Sequence, residues 1–153
     1  MIEDMAKFTG EGAVERAPDA ELLLSLIAAE IFATASPSQA EGFFAAIGRR
    51  LATMVVMDDV RDLKDMETRA NMLWRAMDWG EVRMEVRDDG ILLRHRGLPR
   101  GWQSDVEGHW ATLLHALLTS AYHNWFAGLG SGAALQTRVL HASDQEIELH
   151  HGV

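Results

Sequence analysis

The sequence predicts an α+β fold: N-terminal helices plus two β-hairpins forming an antiparallel sheet, with one long helix between the hairpins. Three observations predict it. Apolar residues recur at three- and four-residue steps up to Met77, and the period drops to two from Val82 onward. Two alternating segments then flank short acidic or polar turns, one at Asp88-Asp89-Gly90 and one at Ser143-Asp144-Gln145. Between them runs a helical stretch of unusual composition, residues 104 to 126.

Taken in order, residues 1–17 mix charges, Gly10 and Gly12 without periodicity and read as a flexible tail; residues 18–153 read as one α+β domain. Pro18-Asp19 opens a first helix whose apolar side is Leu22, Leu23, Leu26, Ile27 and Ile31, ending near Ala35. Ser36-Pro37-Ser38-Gln39 is a second start signal, with serine as cap, proline in the first turn and glutamine three after the cap. Phe43, Phe44, Ile47, Leu51, Met54 and Val55 supply the expected apolar face of that helix. A third helix, Asp59 to Met77, alternates steps of three and four through Leu63, Met66, Ala70, Leu73 and Met77, with Arg61, Asp65 and Arg69 at pairing distance on the other side. This spacing fits packing within the chain's own bundle and equally a seam shared between protomers.

Val82, Met84 and Val86 alternate with Glu81, Arg83, Glu85 and Arg87, and Ile91, Leu93 and His95 alternate with Leu92, Arg94 and Arg96. With Asp89-Gly90 as the loop, the expected pairs are Val86 with Leu93, Met84 with His95 and Glu85 with Arg94. Ser104 with Glu107 predicts a capping box at the start of the long helix. Its apolar stripe is Val106, Trp110, Leu113, Leu114, Leu117, Leu118, Ala121 and Trp125, and Gly128, Gly130 and Gly132 mark its end. A second stripe, Thr112, His115, Thr119, Tyr122 and His123, is polar yet free of formal charge, which implies partial burial on both sides, inside the domain or against another protomer. Leu135, Thr137, Val139 and His141, then Ile147 and Leu149, form the second hairpin.

Lys plus Arg number 14 against 23 Asp plus Glu, so the summed field repels phosphate backbones and nucleic acid is not an expected partner. There is no cysteine, hence no disulfide or thiolate chemistry. Glu3 and Asp4 stand where a secretory signal would carry positive charge, so the expectation is cytoplasmic residence without membrane insertion. Polar residues His115, Tyr122, His123 and Asn124 break the long helix as a membrane span.

Seven histidines invite a metal, but His109, His115 and His123 are not spaced to share a face and His150-His151 are adjacent, so no metal or cofactor is expected. Ser120 sits on a helix rather than in a nucleophile elbow. The glycines from Gly128 to Gly132 follow a helix C-terminus, the wrong end for phosphate. Asp58-Asp59 and Asp88-Asp89 read as turn formers, not as carboxylates flanking a cleft. Among the five tryptophans, Trp102 in a loop is the candidate for stacking on a sugar ring. No enzymatic site is expected.

The order of the pieces carries more. The stretch Met77-Asp78-Trp79-Gly80-Glu81-Val82-Arg83-Met84-Glu85-Val86 runs from helix through Trp-Gly straight into strand, and resembles the helix-to-strand junction of the bacterial cellulose synthase D-subunit family. Phe43 to Ala52, with its Gly48-Arg49-Arg50, looks like that family's Gly-Arg helix, and Leu98-Pro99 and Gly108-His109-Trp110 to Trp125 match in type and spacing. The likeness covers roughly residues 18 to 150. It implies a non-catalytic accessory protein near the inner-membrane synthase complex. Such a protein is a homo-oligomer, an octamer built from dimers, that guides nascent β-1,4-glucan chains and works with other cellulose synthase complex subunits. In that reading Lys7 and Phe8 of the tail join Trp102 as expected glucan contacts. Leu63, Met66, Ala70, Leu73, Met77, His115, Thr119 and Tyr122 are the expected oligomer interface. The rival reading is a small-molecule sensor with an apolar pocket walled by His115 or Tyr122.

Overall fold

The computed structural model describes residues 20–101 and 107–153. The expected tail, the Pro18-Asp19 helix start, Trp102, Ser104 and Val106 lie outside them. Three helices come first, α1 (Ala20–Thr34), α2 (Pro37–Ala52) and α3 (Leu63–Ala76). The hairpin β1 (Glu81–Arg87) and β2 (Gly90–Arg96), the long helix α4 (His109–Gly128) and the hairpin β3 (Gln136–Ala142) and β4 (Glu146–Gly152) follow. The hairpins share one four-stranded antiparallel sheet in the order β1-β2-β4-β3, so the fold is α+β as expected. One face of that sheet, carrying Val82, Leu93, His95, Ile147 and Leu149, is buried against α4 and α3.

Local signals explain most boundaries. Ser36 caps α2 with both halves of the capping box made: its Oγ accepts from Gln39 N–H at 3.2 Å and its own N–H donates to Gln39 Oε1 at 2.9 Å. Asp62 caps α3 by accepting from Asp65 N–H. At the Trp-Gly junction Asp78 and Gly80 both adopt positive φ, and a Cβ on Gly80 would collide with the Arg96 carbonyl. Only glycine fits there. Beyond it, Asn71 pins the first strand by bonding both the N–H and the C=O of Val82, and Glu67 accepts from Met84 N–H, so α3 covers the outer edge of β1.

Four expectations change. The first hairpin pairs Val86 with Ile91, Met84 with Leu93 and Val82 with His95, because Asp88-Asp89 is the loop and Gly90 already belongs to β2. The shift is two residues, so every side chain keeps its face; Arg94 still reaches Glu85 diagonally at 3.3 Å. The long helix starts at His109 with Gly108 in the left-handed region, so Glu107 precedes the helix and cannot complete a capping box. Instead Glu107 meets the His109 ring at 3.0 Å. Arg69 pairs with Asp59 and the Val56 carbonyl rather than with Asp65.

The fourth change concerns α1 and α2. The side of α2 that packs inward is Ala40, Phe44, Gly48 and Ala52, a stripe of small residues at four-residue steps around one phenylalanine. Gly48 rides directly on the Leu117 carbonyl of α4, where a Cβ would collide, and Ser120 Oγ donates to the Ala45 carbonyl at 2.6 Å. Phe43 and Ile47 are thereby turned outward. On α1 the buried residue is Ala28, with Ile31 and Phe32 half-buried, while Leu23, Leu26 and Ile27 face solvent.

Candidate functional site

The long helix α4 decides the site. Its apolar stripe is buried as expected from Trp110 through Leu113, Leu114, Leu117, Leu118 and Ala121 to Trp125, with Tyr122 and Phe126 joining it. Its neutral polar stripe, apart from Tyr122, is half-buried and forms one wall of an open groove of about 680 Å³. The other walls are α2, through Ser38, Glu41, Gly42 and Ala45, and the edge strand β3, through Gln136, Thr137 and Val139. From α4 come Thr112, His115, Ala116, Thr119, Ser120 and His123. Among the described residues of the lining, Glu41 alone carries formal charge at neutral pH when the imidazoles are neutral.

Burial lowers the pKa of His115 below the usual imidazole value, which favours the neutral ring in the groove. Behind the groove His151 stacks on Phe126, with ring centroids 4.2 Å apart, and its Nδ1 lies 2.7 Å from Thr137 Oγ1. Burial, reinforced by the neighbouring His123 and His150, lowers the His151 pKa as well. His150 points to the opposite face and meets Asp89 at 3.2 Å, so the adjacent histidines do part as strand geometry requires. The Asp89 carboxyl is held below its usual range, chiefly by its hydrogen bond from His150.

Tyr122 lies deeper. It is fully buried, its hydroxyl 2.7 Å from His95 Nδ1, while His95 Nε2 lies 2.7 Å from the Trp79 carbonyl. A carbonyl only accepts, so Nε2 carries the proton and Nδ1 accepts from the tyrosine. Desolvation drives the His95 pKa down to about 4 and the Tyr122 pKa well above its ordinary value. Trp74 lies edge-on to His95 and tilted against Tyr122, Trp125 lies edge-on to Tyr122, and Trp79 and Trp110 extend the cluster beyond Trp74. These are buried core groups.

The expected interface residues separate accordingly. Met66 and Ala70 are buried in the chain's own core, and Leu63, Leu73 and Met77 are half-buried against it. Tyr122 has no surface for a second copy, whereas His115 and Thr119 are reachable from the groove. Lys7, Phe8 and Trp102 lie outside the described residues. What the sequence reading missed is the outward apolar side of the first two helices: Leu23 at 60% exposure, Leu26 at 56%, Ile27 at 41% and Phe43 at 46%. The signal was present as a surplus, since α1 carries five large aliphatic residues between Leu22 and Ile27 where one inward face needs two or three. Among the described residues no group of three or more His, Asp or Glu is placed to hold a metal ion. No helix among them is long and apolar enough to cross a membrane.

No curated protein matches the chain. A family model does match, that of the cellulose synthase D subunit, over residues 8–152, nearly the whole length and including the Trp-Gly junction and α4. The chain belongs to the cellulose synthase D-subunit family.

Proposed function

We propose that the protein is a non-catalytic scaffold of cellulose synthesis and secretion, which assembles with copies of itself and guides nascent β-1,4-glucan chains into ordered bundles. Family membership supports the accessory role in cellulose synthesis. The observation that carries the assembly is the outward face of α1, where Leu23, Leu26 and Ile27 recur at three- and four-residue steps in water. A solvated helix of a monomer places charge on that side, and a face of large aliphatic residues marks an interaction site. The octamer built from dimers, the contact with other synthase complex subunits and the cytoplasmic position beside the inner membrane belong to the same proposal.

The test separates polymerisation from ordering. In a cellulose-producing host lacking its own member of this family, the wild-type chain is expected to restore ordered cellulose, measured by fibre diffraction. The double variant Leu26→Lys/Ile27→Lys is expected to leave the rate of glucan polymerisation in isolated membranes unchanged and the diffraction order low. Full restoration of order by that variant removes the α1 face from the account, and a polymerisation rate that follows the variant contradicts the non-catalytic role.

The sensor reading draws on the same groove through His115. Its lining is mixed, with hydroxyls and imidazoles among apolar surface, but it is open, whereas a small-molecule site encloses most of its ligand.

A further inference from the structure

We propose that the open edge of β3 is a docking site for an extended, basic segment of another polypeptide, which adds a fifth strand to the sheet and lies in the groove between β3 and α2. The two edges of the sheet differ. The outer edge of β1 is closed by α3, where Asn71 bonds the N–H and C=O of Val82 at 2.7 and 2.9 Å and Glu67 accepts from Met84 N–H at 2.9 Å. The outer edge of β3 is bare: among the described residues, no hydrogen bond from outside the sheet reaches a main-chain group of Gln136 to Ala142. An edge strand with unmet N–H and C=O groups is a template for a further strand, and peptide-binding domains use such edges to capture extended segments.

What lies beside that edge fixes the chemistry of the occupant. Gln136, Thr137 and Val139 border the groove of about 680 Å³, and Glu41 and Gly42 of α2 stand on its far bank. An added strand points alternate side chains at the floor, where His115 and Thr119 of α4 offer imidazole and hydroxyl groups, and the others at solvent. Glu41 is exposed and makes no ion pair among the described residues, so it is free to meet a cationic side chain of the occupant. The net charge of −9 on the whole chain attracts a basic segment in the same sense. Charge also argues against the chain's own N-terminus as the occupant, since residues 1–19 carry Lys7 and Arg16 against Glu3, Asp4, Glu11, Glu15 and Asp19. The register of β3 shifts between Val139 and His141, which leaves Gln136 to Val139 as the regular stretch for pairing. A ladder that short binds weakly and exchanges fast.

The test is an amide NMR titration of the full chain with a synthetic heptapeptide that alternates lysine with threonine. Two controls accompany it, one with glutamate in place of every lysine and one with proline at its centre, which cannot complete the ladder. Expected are saturable shifts at Gln136 to Val139 and at Thr119, with slowed hydrogen exchange at the outward amides of β3. The lysine peptide is expected to bind at least about tenfold more tightly than either control. Glu41→Gln should weaken it about threefold. Gly42→Leu, at a position where a Cβ meets nothing within 4 Å, keeps the fold, fills the groove and should weaken binding about tenfold. Absent shifts, equal binding of the lysine and glutamate peptides, or undiminished binding of the proline peptide overturns the site. So does a wild-type chain whose outward β3 amides are protected before any peptide is added, because its own N-terminus or a second copy then holds the edge. Loss of the site leaves the scaffold reading standing, since that reading rests on the outward face of α1.

Discussion

At the scale of single residues, His95 ties the parts together. It sits on β2, bonds the Trp79 carbonyl at the helix-to-strand junction and accepts from Tyr122 of α4. One imidazole thus links three elements that are distant in sequence. Its pKa in the folded chain, about 4, lies below the 6.5 of a solvated ring because burial penalises the cation. A depressed histidine pKa means that the unfolded chain binds the proton first, so stability is fully present above pH 6.5 and falls as pH drops toward 4. The loss is about 3 kcal/mol over that window. His115 and His151 shift in the same direction and add to it. Urea midpoints at pH 7 and pH 4.5 are expected to differ strongly in the wild type and less in His95→Leu, which lowers stability at pH 7 but removes this proton. An equal pH dependence in the two proteins would remove His95 from the account. The sequence placed His95 on the apolar side of its strand, but held no sign of its partners, because Tyr122 and Trp79 are brought to it by the packing of α4 and the turn at Gly80.

At the scale of elements, the second helix shows what patterning can and cannot say. Phe43 and Phe44 are adjacent, and periodicity alone makes both candidates for the inward face. The choice is made by Gly48 and its small neighbours Ala40 and Ala52, which let α2 approach α4 until Gly48 touches the Leu117 carbonyl and Trp125 Nε1 donates to the Ala52 carbonyl at 2.9 Å. Close approach by small residues gains dispersion contacts along the whole crossing, and it turns Phe44 in and Phe43 out. Phe44→Ala is therefore expected to cost about 3 to 5 kcal/mol of folding stability. Phe43→Ala should cost well under about 1 kcal/mol in a dilute single chain, because that side chain is already half solvated. Thermal melts of the two variants decide the matter, and reversed costs would mean that the helix is rotated.

The existence of the strands and the Ser36 cap was more legible than the inward faces of α1 and α2. The drop in period after Met77, the Ser36 to Gln39 box and the glycines after α4 each specify a local backbone state, so a short window suffices to read them. The first hairpin differs by two residues because Asp88-Asp89 and Asp89-Gly90 are both plausible loops; Gly90 can enter β2 because it has no Cβ to strike the His151 carbonyl of β4. That neighbour belongs to the far end of the chain, and no local pattern reports it. The groove had the opposite fate. Its α4 wall was visible as a stripe without charge, while its α2 and β3 walls depend on tertiary placement.

At the scale of the whole molecule, the chain buries one aromatic-rich core between sheet and helices and leaves two unlike surfaces beside it. One is the apolar outer face of α1 and α2, the other the neutral groove along α4. The first is the surface to which the proposed self-assembly is assigned. On α3, Met66 and Ala70 are buried in the chain's own core, so the proposed association is assigned to α1. Each buried leucine-sized contact contributes about 1.5 to 3 kcal/mol before ordering costs, and in a symmetric assembly of the proposed kind every copy would repeat it.

Sedimentation equilibrium of the full chain at micromolar concentration tests the central claim most directly. The expected result is a mass several times that of one chain for the wild type, and a smaller species of unchanged circular dichroism for Leu26→Lys/Ile27→Lys. A wild-type protein that sediments as a stable, folded single chain would contradict self-assembly.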